Sequence, residues 1–271
     1  MRIEQAHISP ASHQHFRDEF LERWNLREYD NPEEPAVFWG LYYDWDGEKK
    51  WMRKSSVDIE TYNNHKGFKV LLCGAAEYSG GQFNKIDKES LNLVAVDDWE
   101  VEASKTLKLP YKHLKIPYFD FDRYLQTKLG DKIYSHIPLR ENDGEWGKNF
   151  ENMFQYKKLM KLFGEDMFCF PKEWTDTPKM LPYFNQSFVN IKPHKVRGYV
   201  TSWKLGVMGR NTITVNTEDA PNFIHYSTDD ELKRLVDEES KKIGTIQNEI
   251  SEKIRSYFHQ SDDWLHEDYW E

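Results

Sequence analysis

The residues best suited to chemistry lie in one short stretch. Lys195-Val196-Arg197-Gly198 sets two cations beside a glycine, and a glycine lets main chain come close to a bound anion. Tyr199 and Thr201 follow. A helix is expected to open near Thr201, with its first-turn N–H groups turned to the same ligand. Gly206 and Gly209 are expected to end that helix, and Asn211 to Val215 reads as a β-branched, buried strand. Basic loop, helix start, glycine stop and strand together can form an anion pocket at one end of an α/β sheet. An ordinary loop–helix–strand unit with solvated Lys and Arg would show the same residues. Arg140 joins the candidates because it follows a predicted strand, and ligands collect at the carboxyl ends of parallel strands.

The elements that would position these residues alternate along the chain. A first helix is expected over 11–26, with Phe16, Phe20, Leu21 and Trp24 on one face. His7, His13 and His15 near its start match no metal-ligand spacing and read as a solvated helix start. Buried strands are expected over 36–43 and 68–75, with a helix over 50–64 between them that ends at His65-Lys66-Gly67. Short strands over 91–96 and 111–117 follow, joined by irregular links. The polar run over 119–131 marks a hinge. Strand 132–138, helix 149–163 and strand 166–170 come next, then a loop region reaching Pro182 and a strand over 187–191. Strand 223–226 and helices over 229–243 and 245–258 complete the order. Alternation of this kind, with apolar strands, predicts an α/β fold built on mainly parallel sheet.

Composition bounds the possibilities. The 271 residues suit two compact halves, and 38% hydrophobic with 15% aromatic residues is enough for packed cores. The net charge of −9 divides into −6 over 1–47, +2 over 48–115, +4 over 116–215 and −9 over 216–271. Acidic ends argue against a protein that coats nucleic acid, though a local basic cleft remains compatible. Cys73 and Cys169 sit in apolar runs and read as buried free thiols, as in a reducing cytoplasm. No signal-like or membrane-spanning run of about 20 apolar residues occurs. The sequence holds no G-x-G-x-x-G after a strand, no P-loop, no paired C-x-x-C, no H-E-x-x-H and no G-x-S-x-G. The acidic, aromatic tail from Ser261 to Glu271 reads as either frayed or docked.

A glycine after a basic loop, a threonine three residues on, and the run Leu205-Gly206 … Gly209-Arg210 … Thr212-Ile213 resemble the donor-binding region of GT-B glycosyltransferases, in the short forms of phages and giant viruses. The segments 64–70 and 222–235 resemble further pieces of that family. The resemblance implies two Rossmann-like domains facing a central cleft. Residues 1–127 would be the acceptor side and 128–245 the nucleotide-sugar side, with 246–271 packing back toward the first domain. It implies a UDP-sugar as donor and a metal-free site, in which Arg140, Lys195, Arg197, Gly198, Tyr199 and Thr201 hold the diphosphate and stabilise the charge of the leaving group. Family members carry a Glu near Lys204 that bonds the ribose hydroxyls; a lysine cannot accept those bonds.

If configuration inverts, the acceptor hydroxyl needs a general base. Asp44 and Glu77 are preferred because they follow most closely on the longest apolar strands; Asp46, Asp97 and Asp98 are further candidates. Each is also an ordinary turn or cap residue. Asp44-Trp45-Asp46 and Asp120-Phe121-Asp122 are D-x-D triplets, the metal signature of the other large glycosyltransferase class, but short triplets of a common residue arise by chance. By the same resemblance the acceptor is hydroxymethylcytosine in double-stranded phage DNA. Lys49, Lys50, Arg53 and Lys54, with Lys105, Lys108, Lys112 and Lys115, would follow its phosphates. A surface glycan or small-molecule acceptor is the alternative. A non-catalytic nucleotide-binding protein is the rival from another class, and a scaffold using its tail as a partner peptide is a third.

Overall fold

The computed structural model describes residues 1–8, 17–40, 56–72, 85–96, 98–117, 125, 127–135, 150–169, 177–193, 209–215 and 220–271. The chain divides into two compact units, one of residues 1–120 with 258–271 and one of residues 121–257. Each is built on its own parallel sheet with interleaved helices, so the fold is α/β.

The first unit carries β1 (Gln5–Ile8), α1 (Arg17–Trp24), β2 (Arg27–Glu28), β3 (Ala36–Trp39), α2 (Ser56–Asn64), β4 (Lys69–Leu72), β5 (Asn92–Ala95), α3 (Asp98–Leu107) and β6 (Lys112–His113). Its six strands run in the order β2-β1-β3-β4-β5-β6, and all paired neighbours are parallel. Both faces of β3 and β4 are buried, as their unbroken apolar runs require. Ala36, Phe38 and Leu71 face a core with Ile59 and Tyr62 of α2. On the other face Trp39 meets Phe20 of α1 at 4.9 Å.

Three expectations change here. His7 is a strand residue of β1 packed against Tyr29 and Phe38, not part of a helix start. The two-residue β2 escaped notice because it is exposed and charged. The link between β5 and β6 is a helix, α3. Its sequence, DWEVEASKTL, is charged and short, which hid its period; Lys108 stops it in the left-handed region at φ 55°.

The acidic tail is docked on this unit. Trp264 and Leu265 are fully buried, and Trp264 lies edge-on to Trp24 at 5.2 Å. The Ile3 amide donates to the Leu265 carbonyl at 2.7 Å, and Arg2 and His266 form an antiparallel bridge. The Lys112 ammonium donates to the Tyr269 carbonyl and lies 4.2 Å from the Tyr269 ring and 5.1 Å from that of Trp270. Tail residues held this way are not a loose peptide for a partner.

The second unit carries β7 (Lys132–Ser135), α4 (Phe150–Phe163), β8 (Phe168–Cys169), α5 (Thr177–Gln186), β9 (Ser187–Lys192), β10 (Thr212–Thr214), β11 (Phe223–His225), α6 (Asp229–Ser240) and α7 (Asn248–Tyr257). The order is β11-β10-β9-β7-β8, again parallel throughout. Ile133, Val189, Ile191 and Ile213 face a core with Leu232, Leu235 and Val236 of α6. That helix starts on a reciprocal cap. Thr228 Oγ1 accepts from the Glu231 amide at 3.2 Å, and Glu231 accepts from the Ser227 amide at 2.8 Å. The expected loop before Pro182 is instead α5, which carries Pro182 inside it. Two prolines in ten residues read as a loop, and packing of Phe184 on Tyr134 at 4.5 Å shows what holds the helix instead. Gly130 donates to the Ser187 carbonyl at 3.0 Å, and a Cβ there would stand 2.0 Å from the Gln186 carbonyl oxygen.

Candidate functional site

In a parallel sheet the carboxyl edge is where ligands gather. On the second sheet that edge is made by Ser135, Lys192, Thr214 and His225. Lys192 is 1% exposed and Thr214 0%, and the two are register partners on β9 and β10. Ser135 donates from Oγ to the Ile191 carbonyl at 3.1 Å, which ties β7 to β9 beside them. Burying an ammonium is costly unless partners surround it, so a lysine at this depth marks a polar environment. Lys192 is not among the sequence candidates, because the expected strand ends at Ile191 and the expected basic loop begins at Lys195. The available signal was its place at the head of the basic stretch.

The diphosphate candidates follow this edge in the chain. Arg140 comes after β7, and Lys195, Arg197, Gly198, Tyr199 and Thr201 come after β9. All of them lie outside the described residues, as do Lys204 and the helix expected from Thr201. The same holds for Asp44 and Glu77, which follow β3 and β4 of the first sheet, for Asp46 and Asp97, for both D-x-D triplets, and for Lys49, Lys50, Arg53 and Lys54. Asp98 is the first residue of α3.

The described end of the resembling motif has a structural explanation. Gly209 sits at φ 63°, and a Cβ there would lie 2.9 Å from the Leu125 carbonyl oxygen, so conformation and space both demand glycine. Arg210 lies at the amino end of β10, the far side of the sheet from the ligand edge, and is fully buried. Its guanidinium donates to the Ser187 carbonyl at 2.8 Å, Thr127 Oγ1 at 2.9 Å and the Lys128 carbonyl at 3.1 Å. Burial lowers its pKa to about 10, which leaves it charged at neutral pH. Arg210 therefore pins the chain entering the unit to the base of β9.

Other ionisable groups have structural roles too. Burial pushes the Cys169 thiol up to about 12, so it is not a nucleophile at neutral pH. Lys69, at the amino end of β4, donates to the Tyr62 carbonyl at 3.1 Å, lies 4.4 Å from the Tyr62 ring and pairs with Asp87 at 3.8 Å. Lys105 bonds Glu102 at 3.3 Å, and Lys112 is held by the tail. The tail contact engages the Lys112 ammonium, whereas Lys105 stays more than half exposed. Among the described residues no group of three His, Cys, Asp or Glu side chains is placed to hold a metal ion, and no helix is long and apolar enough to cross a membrane.

Fold and edge geometry together define an α/β protein with two parallel sheets. No protein-family model matches the sequence, and no curated protein matches it. Among solved structures, the chain is similar to the "accessory secretory protein 1,2 and 3" structure from Streptococcus pneumoniae, with a TM-score of 0.50 and 10% identity over 94% of this chain. It is also similar to the "Glycosylation Associate Protein (Gap123) complex" from Streptococcus agalactiae, with a TM-score of 0.44 and 13% identity over 96% of this chain. The chain spans 55% and 59% of those two chains, and at such identities the likeness concerns the fold.

Proposed function

We propose that the protein is a nucleotide-sugar-dependent glycosyltransferase whose second unit holds the donor at the carboxyl edge of its parallel sheet. The observation that carries this reading is the buried Lys192, paired with Thr214 at that edge and leading directly into Lys195, Arg197 and Gly198. A diphosphate needs cations and N–H donors that stabilise the charge of a departing nucleotide. Arg140, Lys195, Arg197, Gly198, Tyr199 and Thr201 supply those in the proposed site, with UDP as the leaving group and no metal. Asp44 or Glu77 of the first unit would take the proton from an acceptor hydroxyl. Hydroxymethylated cytosine in double-stranded DNA is the narrowest form of the proposal and rests on the resemblance, with Lys49, Lys50, Arg53 and Lys54 as its phosphate contacts.

A second reading is favoured by Lys204, which stands where an acceptor of ribose hydrogen bonds is expected. It is a nucleotide-binding partner without turnover, and the description of the similar Streptococcus pneumoniae structure as an accessory protein agrees with it. Incubation with a panel of nucleotide-sugars separates the two. Slow release of the nucleoside diphosphate supports the transferase, binding without release supports the second reading, and absence of binding removes both. If DNA is the acceptor, its binding weakens steeply with added salt.

A further inference from the structure

The strongest unexplained chemistry lies one strand repeat, about 6.6–7 Å, inside the edge just described. Asn190 and Thr212 are register partners at the centre of β9 and β10. Both are 0% exposed, and neither Asn190 Nδ2, Asn190 Oδ1 nor Thr212 Oγ1 has a hydrogen-bond partner. Val189, Ile191 and Ile213 turn to the apolar core under α6, so the period of a strand turns Asn190 and Thr212 to the opposite face. Register continues that row through Tyr134 and Cys169. The far end of the row is covered by α5, with Phe184 against Tyr134 and the Cys169 thiol donating to the Tyr183 carbonyl at 3.2 Å.

An amide and a hydroxyl in a sheet interior need an account. Each unmade bond of this kind costs about 1–3 kcal/mol, and more than about nine in ten buried polar groups find a partner. Leucine and valine would fill the same volumes without that cost. We infer that Asn190 and Thr212 together hold a small neutral group that both donates and accepts hydrogen bonds, a hydroxyl of water size, buried in the layer over this face of the second sheet. The three atoms offer an amide donor, a carbonyl acceptor and a hydroxyl that can act as either, the two to four polar partners that a buried water takes. A carboxylate or an ammonium would engage only part of this set, and the pair includes no carboxylate to hold a metal ion. The hydroxyl comes either from an ordered water or from a bound ligand, and the inference does not depend on the nucleotide-sugar reading.

Two measurements on the full chain test it. High-resolution crystal structures are compared without ligand and after soaking with uridine diphosphate. Density within hydrogen-bond reach of both side chains in the ligand-free crystal assigns the group to water. Density that appears only after soaking assigns it to a ligand hydroxyl. Density in neither overturns the inference. Thr212→Val and Asn190→Leu are then melted. A held guest means that each variant loses a bond, and Tm falls by about 2–4 °C. Polar groups that are merely unpaired would be relieved by the change, so an unchanged or higher Tm also overturns it.

Discussion

Each sheet is parallel throughout, but the two place their buried cations differently. In the first unit Lys69 opens β4 at its amino end, held by a carbonyl, an aromatic face and Asp87. The second unit has Arg210 at the amino end of β10 and Lys192 at the carboxyl end of β9, close to the basic loop. Strand direction separates these roles better than residue type does. At the amino edge a buried cation satisfies carbonyls of its own chain, whereas at the carboxyl edge it stands where parallel sheets receive ligands. The motif Gly209-Arg210 illustrates the point. Its most basic described member belongs to the structural edge, so a match to the pattern is weaker evidence for donor binding than the pattern alone suggests.

The largest effect expected tests whether the second sheet depends on one close backbone approach. Gly130→Ala places a Cβ 2.0 Å from the Gln186 carbonyl oxygen, a contact that only backbone movement can relieve. A loss of about 3 kcal/mol or more is expected in urea unfolding. Gly67→Ala is the counterpart in the first unit, where the nearest atoms are Glu34 backbone at 2.7 Å, and it should cost less. Equal costs would show that the two approaches are equivalent.

Next in size is the contrast between buried cations at the amino edges. Arg210→Met removes the guanidinium's bonds to the Ser187 and Lys128 carbonyls and the Thr127 hydroxyl, and should cost about 2–4 kcal/mol. Lys69→Met removes fewer bonds and leaves Asp87 half-exposed, so about 1–2 kcal/mol is expected. Neither change should alter nucleotide affinity in protein that remains folded. A lowered affinity in Arg210→Met would place that residue at the ligand edge after all.

At the carboxyl edge the expected readout is binding. Arg197→Glu should weaken nucleoside diphosphate affinity about 10–100-fold, since a bond to a charged group contributes about 1.5–3 kcal/mol. Lys192→Met should weaken it as well, while Lys69→Met should not. Calorimetric titration of uridine diphosphate checks all three. Unchanged affinity in both edge variants would remove the distinction between the edges.

Much of this fold was legible because it is written in residue periods. Ala36–Trp39, Lys69–Leu72 and Ser187–Lys192 are continuous buried runs, and such runs alternating with helices leave parallel sheet as the economical arrangement. What escaped the sequence was set by packing. Helix α5 keeps Pro182 because Phe184 is anchored on Tyr134, and the tail docks because Trp264 finds Trp24 and Lys112 finds Tyr269. No local pattern announces such distant partners. The candidate site was legible only as a stretch of chain. The edge that leads into it was predictable from strand direction, whereas the burial of Lys192 and the unpaired Asn190 and Thr212 depend on neighbours across the sheet. The predicted donor and base residues lie outside the described residues, as do the DNA contacts Lys49, Lys50, Arg53 and Lys54.

The smallest effect separates the units by pH. His65 is buried beside β4; its Nδ1 lies 3.2 Å from the Tyr29 hydroxyl and its Nε2 3.3 Å from the Phe68 carbonyl. A neutral ring suits both contacts, with Nε2–H donating to Phe68 and Nδ1 accepting from Tyr29. Burial lowers the pKa of His65, with the Lys69 charge adding to the effect and the Phe68 bond and Glu33 opposing it. A histidine with a depressed folded pKa binds more protons when unfolded. Its contribution is therefore complete above the ordinary value of about 6.5 and is lost as pH falls through the folded value. His65 lies against β4 in the first unit, so this acid loss should appear in the first sheet. Amide exchange followed by mass spectrometry between neutral and mildly acidic pH should show β3 and β4 losing protection before β9 and β10. In His65→Gln that difference should shrink, because the glutamine amide can meet the same two partners without titrating. If β9 and β10 lose protection first, or the variant leaves the profile unchanged, the acid response does not originate at His65.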